Sequence, residues 1–375
     1  MDPGLRELLR TTALELGFAR VGVCGLDALH DDAARWKSWI ADGNHGAMRY
    51  LERHGALREH PAQWFPGARS ALVVTAAYGP TPGSTVAAYA ERADYHVEIT
   101  ARLERVLDVA RSRGHALTGV VAVDTKPVLE RALAQRAGLG WIGKNTMLLD
   151  EEHGPWSMLG VLVVDAELEP DAPAKARCGT CTRCLDACPT AAFVAPYVLD
   201  ARRCLSYWSI EHRGAWPEPM REAFGGRVFG CDDCLTSCPF GPPRSTSGEP
   251  VLAVAPALVG LSPLETLRRC DEGFGRHFSH HAIARAGKAG LIRNAVTALG
   301  NGARSEAALV ALRKVLDHAD AGVRAHGAWA LARIGDADDV GRLEAALLVE
   351  SDLGTRDDLT RAVATARARH AGAAR

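Results

Sequence analysis

Eight of the ten cysteines are spaced in a way that few folds can use. They form two runs with one cysteine between them: Cys178, Cys181, Cys184 and Cys188, then Cys204, then Cys231, Cys234 and Cys238. The first run has the spacing C-x2-C-x2-C-x3-C-P, which is typical of bacterial ferredoxins with two iron–sulfur clusters. The second run has this pattern without its first cysteine. The sequence therefore predicts two [4Fe–4S] clusters.

The same pattern predicts which cysteines bind each cluster, because the cysteine before the proline binds the cluster of the other run. The predicted ligands of the first cluster are Cys178, Cys181, Cys184 and Cys238. The predicted ligands of the second cluster are Cys188, Cys204, Cys231 and Cys234. Each cluster thus receives four thiolates, and no cysteine of the two runs is left over.

Structural zinc and disulfides are the alternative uses of so many cysteines. Zinc sites also use paired C-x2-C motifs, but they need no proline after the last cysteine. Disulfides are typical of secreted proteins, whereas this chain starts with MDPGLRELLR and shows no apolar signal segment. The isolated Cys24 and Cys270 are predicted to be small buried side chains.

Length and composition describe an ordinary globular protein. A chain of 375 residues predicts two or three domains. No apolar stretch approaches the ~18 residues that span a bilayer, so we expect a cytoplasmic protein without membrane contact. The formal net charge is -1, so nucleic acid could bind only through a local basic face.

The first 165 residues are predicted to form a mixed α/β domain. Apolar periodicity predicts helices at residues 5–16 and 95–113, each followed by a glycine. Short buried strands are predicted at residues 71–75, 119–123 and 160–164. No strand is followed by G-x-G-x-x-G, so a dinucleotide-binding fold is not expected.

The remainder divides into two further predicted parts. Residues 166–245 would form a bacterial ferredoxin-like domain for two [4Fe–4S] clusters, between polar linkers at 166–177 and 241–250. Residues 246–375 are predicted to be helical, because residues 292–301 resemble residues 323–335. A period of about 32 residues is typical of HEAT-like helical pairs. The predicted fold class is therefore a multidomain α+β protein with a C-terminal α-helical HEAT-like region.

Two neighbouring clusters can conduct single electrons. A ferredoxin that acted alone would be much shorter, so the first 165 residues should hold the group that consumes the electrons. A flavin, a corrinoid, or a substrate placed directly at a cluster would each satisfy this requirement, and residue chemistry alone does not choose among them.

Several segments resemble the epoxyqueuosine reductase family in the family's order along nearly the whole chain. They are PGARS at 66–70, DYH at 94–96, VDTKPVLER at 123–131, RAGLGWIGKN at 136–145, DARRCLSYWSIE at 200–211, GCDDC at 230–234 and LIRNA at 291–295. The resemblance implies an oxidoreductase that depends on cobalamin and [4Fe–4S] clusters and is related at its core to reductive dehalogenases. Its implied reaction is the last step of queuosine synthesis, the reduction of the tRNA wobble base epoxyqueuosine.

The resemblance also implies roles for particular residues. Asp124 matches the proton donor, whereas from the residues alone a strand-end aspartate more often caps a turn. A carboxyl buried beside a corrin is expected to have a raised pKa, as a general acid requires. The cobalamin contacts implied by matched motifs are Arg58, Asp124, Lys144, Asn145, Leu159 and Ser206. Tyr95 and His96 are further candidates to line the site.

The chain departs from the family pattern at three places. Phe240-Gly241 replaces the usual Trp-Asn after the second Cys-Pro, and Ser279-His280-His281 replaces the usual Gly-Ser before the repeats. Lys126 stands where a small residue is expected. We expect these departures to affect contacts with the substrate rather than the cluster ligands.

The implied partners are tRNA carrying epoxyqueuosine in its anticodon loop and an electron donor of flavodoxin or ferredoxin type, acting on a monomeric enzyme. Residues 264–304 contain seven Lys/Arg and three Asp/Glu, and basic side chains bind phosphates. Further candidates for phosphate contact are Arg202, Arg203, Arg213, Arg221 and Arg227. Two alternatives are a dehalogenase of small molecules, and an electron carrier whose repeats dock a partner.

Overall fold

The computed structural model describes residues 3–241 and 251–371, so most of the linker predicted at 241–250 lies outside the described residues. The helices in chain order are α1 (Pro3–Glu15), α2 (His30–Ala41), α3 (Gly55–Glu59), α4 (Tyr95–Ser112), α5 (Glu130–Arg136), α6 (Arg183–Asp186), α7 (Leu205–Ile210), α8 (Glu218–Phe224), α9 (Asp233–Thr236), α10 (Pro263–Phe278), α11 (Gly287–Asn301), α12 (Glu306–Val315), α13 (Ala321–Ile334), α14 (Asp338–Val349) and α15 (Leu353–Ala371). The strands are β1 (Arg20–Gly25), β2 (Ser70–Ala77), β3 (Gly119–Ala122), β4 (Trp141–Ile142), β5 (Leu148–Leu149), β6 (Ser157–Val164), β7 (Phe193–Ala195) and β8 (Val198–Leu199).

The chain divides into two compact units that alternate along the sequence. The first unit consists of Met1–Pro80, Arg92–Arg202 and Asp232–Ala255. The second unit consists of Thr81–Glu91, Arg203–Cys231 and Pro256–Arg375. The second cysteine run is therefore shared between the units. The division into three parts at residues 165 and 245 stays a prediction.

A four-stranded antiparallel sheet in the order β1-β2-β6-β3 is the centre of the first unit. Its strands β2, β3 and β6 confirm the three predicted strands, whereas β1 was not predicted. Strands β2 and β6 are almost continuously buried, as expected when helices cover both faces of a sheet. Gly160 permits the close approach of α4, since a Cβ at this position would lie 2.4 Å from Cγ2 of Ile99.

Helix α4 has three polar residues at its start, Asp94, Tyr95 and His96, whose positions are fixed by the cap and the packing of the helix. Its N-cap is Asp94, whose side chain accepts the backbone N–H of His96 at 3.0 Å, a typical N-cap bond. Its buried residues, among them Leu103 and Val106, face the sheet and α1. The predicted helix is thus confirmed, and its first turn brings Tyr95 and His96 to the residues that follow β3.

The second unit contains the packed helical pairs that the repeat predicts. Helices α11 and α13 pack closely, because a Cβ at Gly300 would lie only 2.6 Å from Cβ of Ala330. Helix α11 is buried on nearly every side, as expected for the central helix of a stacked array. Within the described residues, no helix is both long and apolar enough to cross a membrane.

Buried polar side chains join the helices of the second unit in what we call the Arg293–His326 network. Arg293, which is 2% exposed, donates to the carbonyls of Trp208, His212 and Gly214 at 2.9–3.0 Å. Nε2 of His326 accepts the N–H of Trp216 at 2.9 Å, and Nδ1 lies 2.6 Å from Oγ1 of Thr297. The network consists of Arg293, Asn294, Thr297, His326 and the backbone groups that they bind.

Candidate active site and cysteine motifs

Asp124 lies in a tight turn directly after β3. The N–H of Thr125 donates to the carbonyl of Val123 at 2.5 Å, and Asp124 between them has φ of 53°. A three-residue turn with a positive φ at its centre is rare and strained, although aspartate tolerates it better than most residues. Backbone strain of this kind is often found at functional sites.

Two side chains from the start of α4 contact the Asp124 carboxylate. The hydroxyl of Tyr95 donates to Oδ2 at 3.1 Å, and Nε2 of His96 lies 3.3 Å from the same oxygen. The rings of Tyr95 and His96 are stacked, with centroids 4.0 Å apart. On its other side, Nδ1 of His96 lies 2.8 Å from Oδ1 of Asp94. His96 is therefore placed between two carboxylates.

These contacts determine the charges of the pair. Burial lowers the pKa of His96, but its hydrogen bonds to Asp124 and Asp94 more than offset this, so that its pKa is raised to about 9. The hydrogen bond from His96 lowers the pKa of Asp124. This corrects the predicted raised pKa of Asp124, because burial is here the weaker influence. The proton of the pair resides on His96 at neutral pH.

Glu130, the first residue of α5, is a member of this site that the sequence did not single out. Its Oε1 accepts the backbone N–H of Asp124 at 2.6 Å. Burial and the nearby charge of Asp124 raise the pKa of Glu130 to about 8. The charge of Glu130 also acts on Arg58, whose pKa is lowered by burial. Thus Arg58, one predicted cobalamin contact, lies near Glu130.

The other predicted cobalamin contacts bind protein groups. Nζ of Lys144 donates to the carbonyls of Gly179 and Cys181 at 2.8 and 2.9 Å. Leu159 on β6 packs against the apolar core. Asn145 is buried and donates to the carbonyl of Cys234 at 3.2 Å, and in the second unit Ser206 donates to the carbonyl of Cys231 at 3.4 Å. Three of the predicted contacts thus support the main chain of the cysteine runs.

The four cysteines predicted for the first cluster lie together in the first unit. Burial raises the pKa of the Cys184 thiol, and so do the neighbouring Cys178, Cys238 and Cys181. Cys238 is affected in the same way, by burial and by Cys178 and Cys181. Such mutual influence requires thiols that are close in space, as the ligands of one cubane must be.

A small apolar cluster packs against these thiols. It contains Trp141, which is 3% exposed, together with Cys238, Cys178 and Phe240. The rings of Trp141 and Phe240 meet edge to face at 4.8 Å, so the departure at Phe240 lies beside the first set of cysteines. The buried Nε1 of Trp141 has no hydrogen-bond partner among the described residues.

The cysteines predicted for the second cluster are divided between the two units. Cys188 and Cys234 belong to the first unit, in which helices α6 and α9 pack together. Sγ of Cys188 accepts the N–H of Ala192 at 3.2 Å. Cys204, at the N-cap of α7, and Cys231 belong to the second unit. Cys24 and Cys270 are buried thiols whose pKa burial raises to about 12, as predicted for small core side chains.

Several of the basic residues predicted to contact phosphates are buried or paired with carboxylates. Arg293 and Arg221 are each 2% exposed, and Arg221 is bound to Asp358 at 2.8 Å. Arg285 forms an ion pair with Glu211 at 2.9 Å. Arg268 and Arg269 both bind Glu265. The predicted basic face is therefore smaller than the sequence count, because part of its charge is buried or paired.

Family models match three regions of the chain. The model described as "Epoxyqueuosine reductase QueG, DUF1730" matches residues 58–125. A 4Fe-4S double cluster binding domain matches residues 177–241, which confirms the predicted iron–sulfur domain. HEAT repeats match residues 282–364, which confirms the predicted C-terminal repeats.

Relatives and solved structures agree with these matches. The epoxyqueuosine reductase of Xanthomonas campestris is 40% identical over 347 residues, covering 87% of this chain and 95% of the relative. That of Escherichia coli is 35% identical, covering 88% and 89% of the two chains. A crystal structure of epoxyqueuosine reductase with an epoxyqueuosine-modified tRNA-Tyr stem loop is 29% identical, with a TM-score of 0.89 and coverage of 97% and 99%.

Another similar structure concerns the catalytic loop. It is an epoxyqueuosine reductase from Bacillus subtilis with an aspartate-bearing catalytic loop swung out of the active site, 27% identical, with a TM-score of 0.87 and coverage of 96% and 98%. The two relatives are 40% and 35% identical over most of both chains, and the fold matches solved structures of the same family. The chain belongs to the epoxyqueuosine reductase family.

Proposed function

We propose that this oxidoreductase reduces the epoxide of epoxyqueuosine to the alkene of queuosine at the wobble position of tRNA. The reaction consumes two electrons and two protons and releases the epoxide oxygen as water. The electrons would pass through two [4Fe–4S] clusters to cobalamin. The similar structure that holds an epoxyqueuosine-modified tRNA stem loop supports this choice of substrate.

The observation that carries the proposal is the charge arrangement around Asp124. The departing oxygen needs a proton donor, and the Asp124–His96 pair shares one proton at neutral pH. In our proposal the proton passes from Nε2 of His96 to Asp124 and from Asp124 to the departing oxygen. We further propose that the turn around Asp124 corresponds to the catalytic loop of the Bacillus subtilis enzyme.

Two features of the first unit fit a [4Fe–4S] cluster. Four thiols lie within electrostatic reach of one another. The buried side chain of Trp141 belongs to the same apolar cluster as two of them, and its indole N–H has no partner among the described residues. A buried N–H without a partner destabilises the folded state. A sulfur atom of the cluster could accept a hydrogen bond from it. We propose Cys178, Cys181, Cys184 and Cys238 for one cluster, and Cys188, Cys204, Cys231 and Cys234 for the other.

Cobalamin, when bound, would supply a low-valent cobalt that delivers two electrons. Arg58 fits a corrin contact because it lies near Glu130 at the Asp124 site. Asp124 can also contact a corrin, because 62% of its side chain is exposed and so is accessible to a bound cofactor. We retain Lys144, Asn145, Leu159 and Ser206 as proposed contacts of the corrin periphery. We also propose that the enzyme is cytoplasmic, as its proposed tRNA substrate would require, that it is monomeric, and that a flavodoxin or ferredoxin is its electron donor.

The decisive experiment is turnover with fully loaded enzyme. The clusters are reconstituted anaerobically, cobalamin and a chemical reductant are added, and tRNA bearing epoxyqueuosine is analysed by mass spectrometry after digestion. We expect the loss of one oxygen, and no loss when cobalamin is omitted. An electron carrier of the alternative type would bind clusters but no corrinoid. Iron content near four per chain, or failure to bind cobalamin, would contradict the proposal.

A further inference from the structure

We propose that Glu130 is a positioning residue that restrains the Asp124 turn by accepting its backbone N–H, and so keeps the Asp124 carboxylate in contact with His96. The inference rests on the proposed role of Asp124 in proton transfer. Glu130 would act through Asp124 and need not contact the substrate.

The Asp124 turn requires such a restraint because its conformation is unfavourable. Asp124 has φ of 53° within a three-residue turn, and non-glycine residues rarely adopt this region unless the surroundings impose it. A second short turn follows, in which Val128 donates to the carbonyl of Lys126 at 2.8 Å. Asp124, Thr125 and Lys126 are all exposed. Packing therefore does little to hold the turn itself.

Hydrogen bonds hold the turn from two directions. The carboxylate is bound by Tyr95 and His96 of α4, at 3.1 and 3.3 Å. The backbone N–H is bound by Glu130 of α5, at the shorter distance of 2.6 Å. Helix α5 is firmly anchored, since its residues Ala132 and Leu133 belong to the apolar core. Glu130 thus connects an exposed, strained turn to a buried helix.

The charge state of Glu130 suits a restraint better than a proton donor. Burial and the charge of Asp124 raise its pKa to about 8, while the hydrogen bond from the N–H of Asp124, and then Arg131 and His96, act in the opposite direction. Near neutral pH the carboxyl is mostly protonated, and its carbonyl oxygen can still accept the N–H of Asp124. The restraint is therefore achieved without adding a second negative charge beside Asp124.

The test compares Glu130→Gln, which keeps an accepting oxygen, with Glu130→Met, which has a similar length and no strong acceptor. In Glu130→Met we expect backbone amide exchange in the peptide containing residues 123–128 to become faster by about tenfold. We also expect the pKa of His96, followed by NMR, to fall towards its ordinary value. Turnover should fall about tenfold or more with an unchanged KM for tRNA. Glu130→Gln should resemble the wild type in all three.

Glu104→Ala, an exposed glutamate on α4, is the matched control and should change none of these quantities. Normal amide exchange and normal His96 titration in Glu130→Met would overturn the inference. So would a Glu130→Gln variant as impaired as Glu130→Met. Amide exchange and titration need no turnover, so they test the restraint even if the wild-type enzyme does not reduce epoxyqueuosine, which would instead refute the proposed function.

Discussion

The site around Asp124 and the Arg293–His326 network each contain a buried or half-buried histidine, yet only one of the two histidines is charged at neutral pH. His96 lies between two carboxylates, and its pKa is raised to about 9. His326 is fully buried, and burial followed by the charges of Arg221 and Arg293 lowers its pKa well below the usual value. His96 is therefore protonated and His326 is neutral.

The difference follows from the partners rather than from burial alone. A carboxylate within hydrogen-bond distance stabilises the imidazolium, whereas an arginine nearby and the loss of water destabilise it. His326 accepts one backbone N–H and contacts one hydroxyl, an arrangement that neutral imidazole satisfies completely. The first region retains a transferable proton, and the second uses polar groups to fix helices in place.

The largest expected effect separates the two regions by catalysis. Asp124→Ala should lower turnover of epoxyqueuosine-bearing tRNA by about 100- to 10,000-fold, because it removes the proposed proton donor. The iron content should not change. Stability should fall slightly, because alanine tolerates the positive φ less well than aspartate and loses the contacts to Tyr95 and His96. Cobalamin content is measured in the same samples. Asp108→Ala, an exposed site on α4, serves as the control. Full turnover by Asp124→Ala with all cofactors bound would exclude the proposed role.

The Arg293–His326 network should show the reverse behaviour, a large effect on stability. Arg293→Leu would leave three backbone carbonyls and the side-chain oxygen of Asn294 without their donor. Each buried unsatisfied group costs about 1–3 kcal/mol, so we expect the free energy of unfolding in urea to fall by about 3 kcal/mol or more. Arg304→Ala, at an exposed site, should change it by less than about 0.5 kcal/mol. If Arg293→Leu lowered the free energy of unfolding by no more than Arg304→Ala does, the network would not stabilise the fold.

Elements whose pattern lies within one segment of sequence were predictable. The cysteine runs, helix α4, the strands β2, β3 and β6, and the similar helices α11 and α13 each depend on neighbours within one segment of sequence. Such patterns report the period of an element and which face is apolar. Asp124 was predicted as a site residue from its place after a strand and from the family resemblance.

Interactions between distant segments were not predictable in the same way. The raised pKa expected for Asp124 was wrong because His96, 28 residues away along the chain, supplies the dominant interaction. Glu130 was not singled out because only the folded turn brings its carboxyl to the N–H of Asp124. Arg293 was counted as a phosphate ligand because sequence does not show on which side of α11 water is absent.

A smaller effect tests the charge of His96 directly. Replacing Asp124 by Asn removes the strongest hydrogen-bonding partner that raises the pKa of His96, so the pKa should fall from about 9 towards 7. Histidine NMR spectra recorded between pH 5 and pH 10 would show this shift. His326 should not titrate above pH 6 in either protein. An unchanged pKa of His96 in Asp124→Asn would show that Asp94 alone maintains the charge.

The smallest expected effect is an opposite dependence of stability on pH. The folded state raises the pKa of His96 above its ordinary value of 6.5, so its contribution is complete below pH 6.5 and is lost as pH rises through 9. The folded state lowers the pKa of His326, so its contribution is complete above pH 6.5 and is lost as pH falls below that value. We expect each contribution to change by about 1 kcal/mol across its window.

The variants His96→Gln and His326→Gln separate these two contributions. The difference in unfolding free energy between wild type and His96→Gln should shrink from pH 6.5 to pH 9, because the stabilising charge is lost only in the wild type. The difference for His326→Gln should shrink from pH 6.5 to pH 5, where protonation would require a charge to be buried beside Arg221 and Arg293. The same pH trend in both variants would mean that partners do not decide the two charges, and the contrast between a proton-transferring region and a structural one would fail.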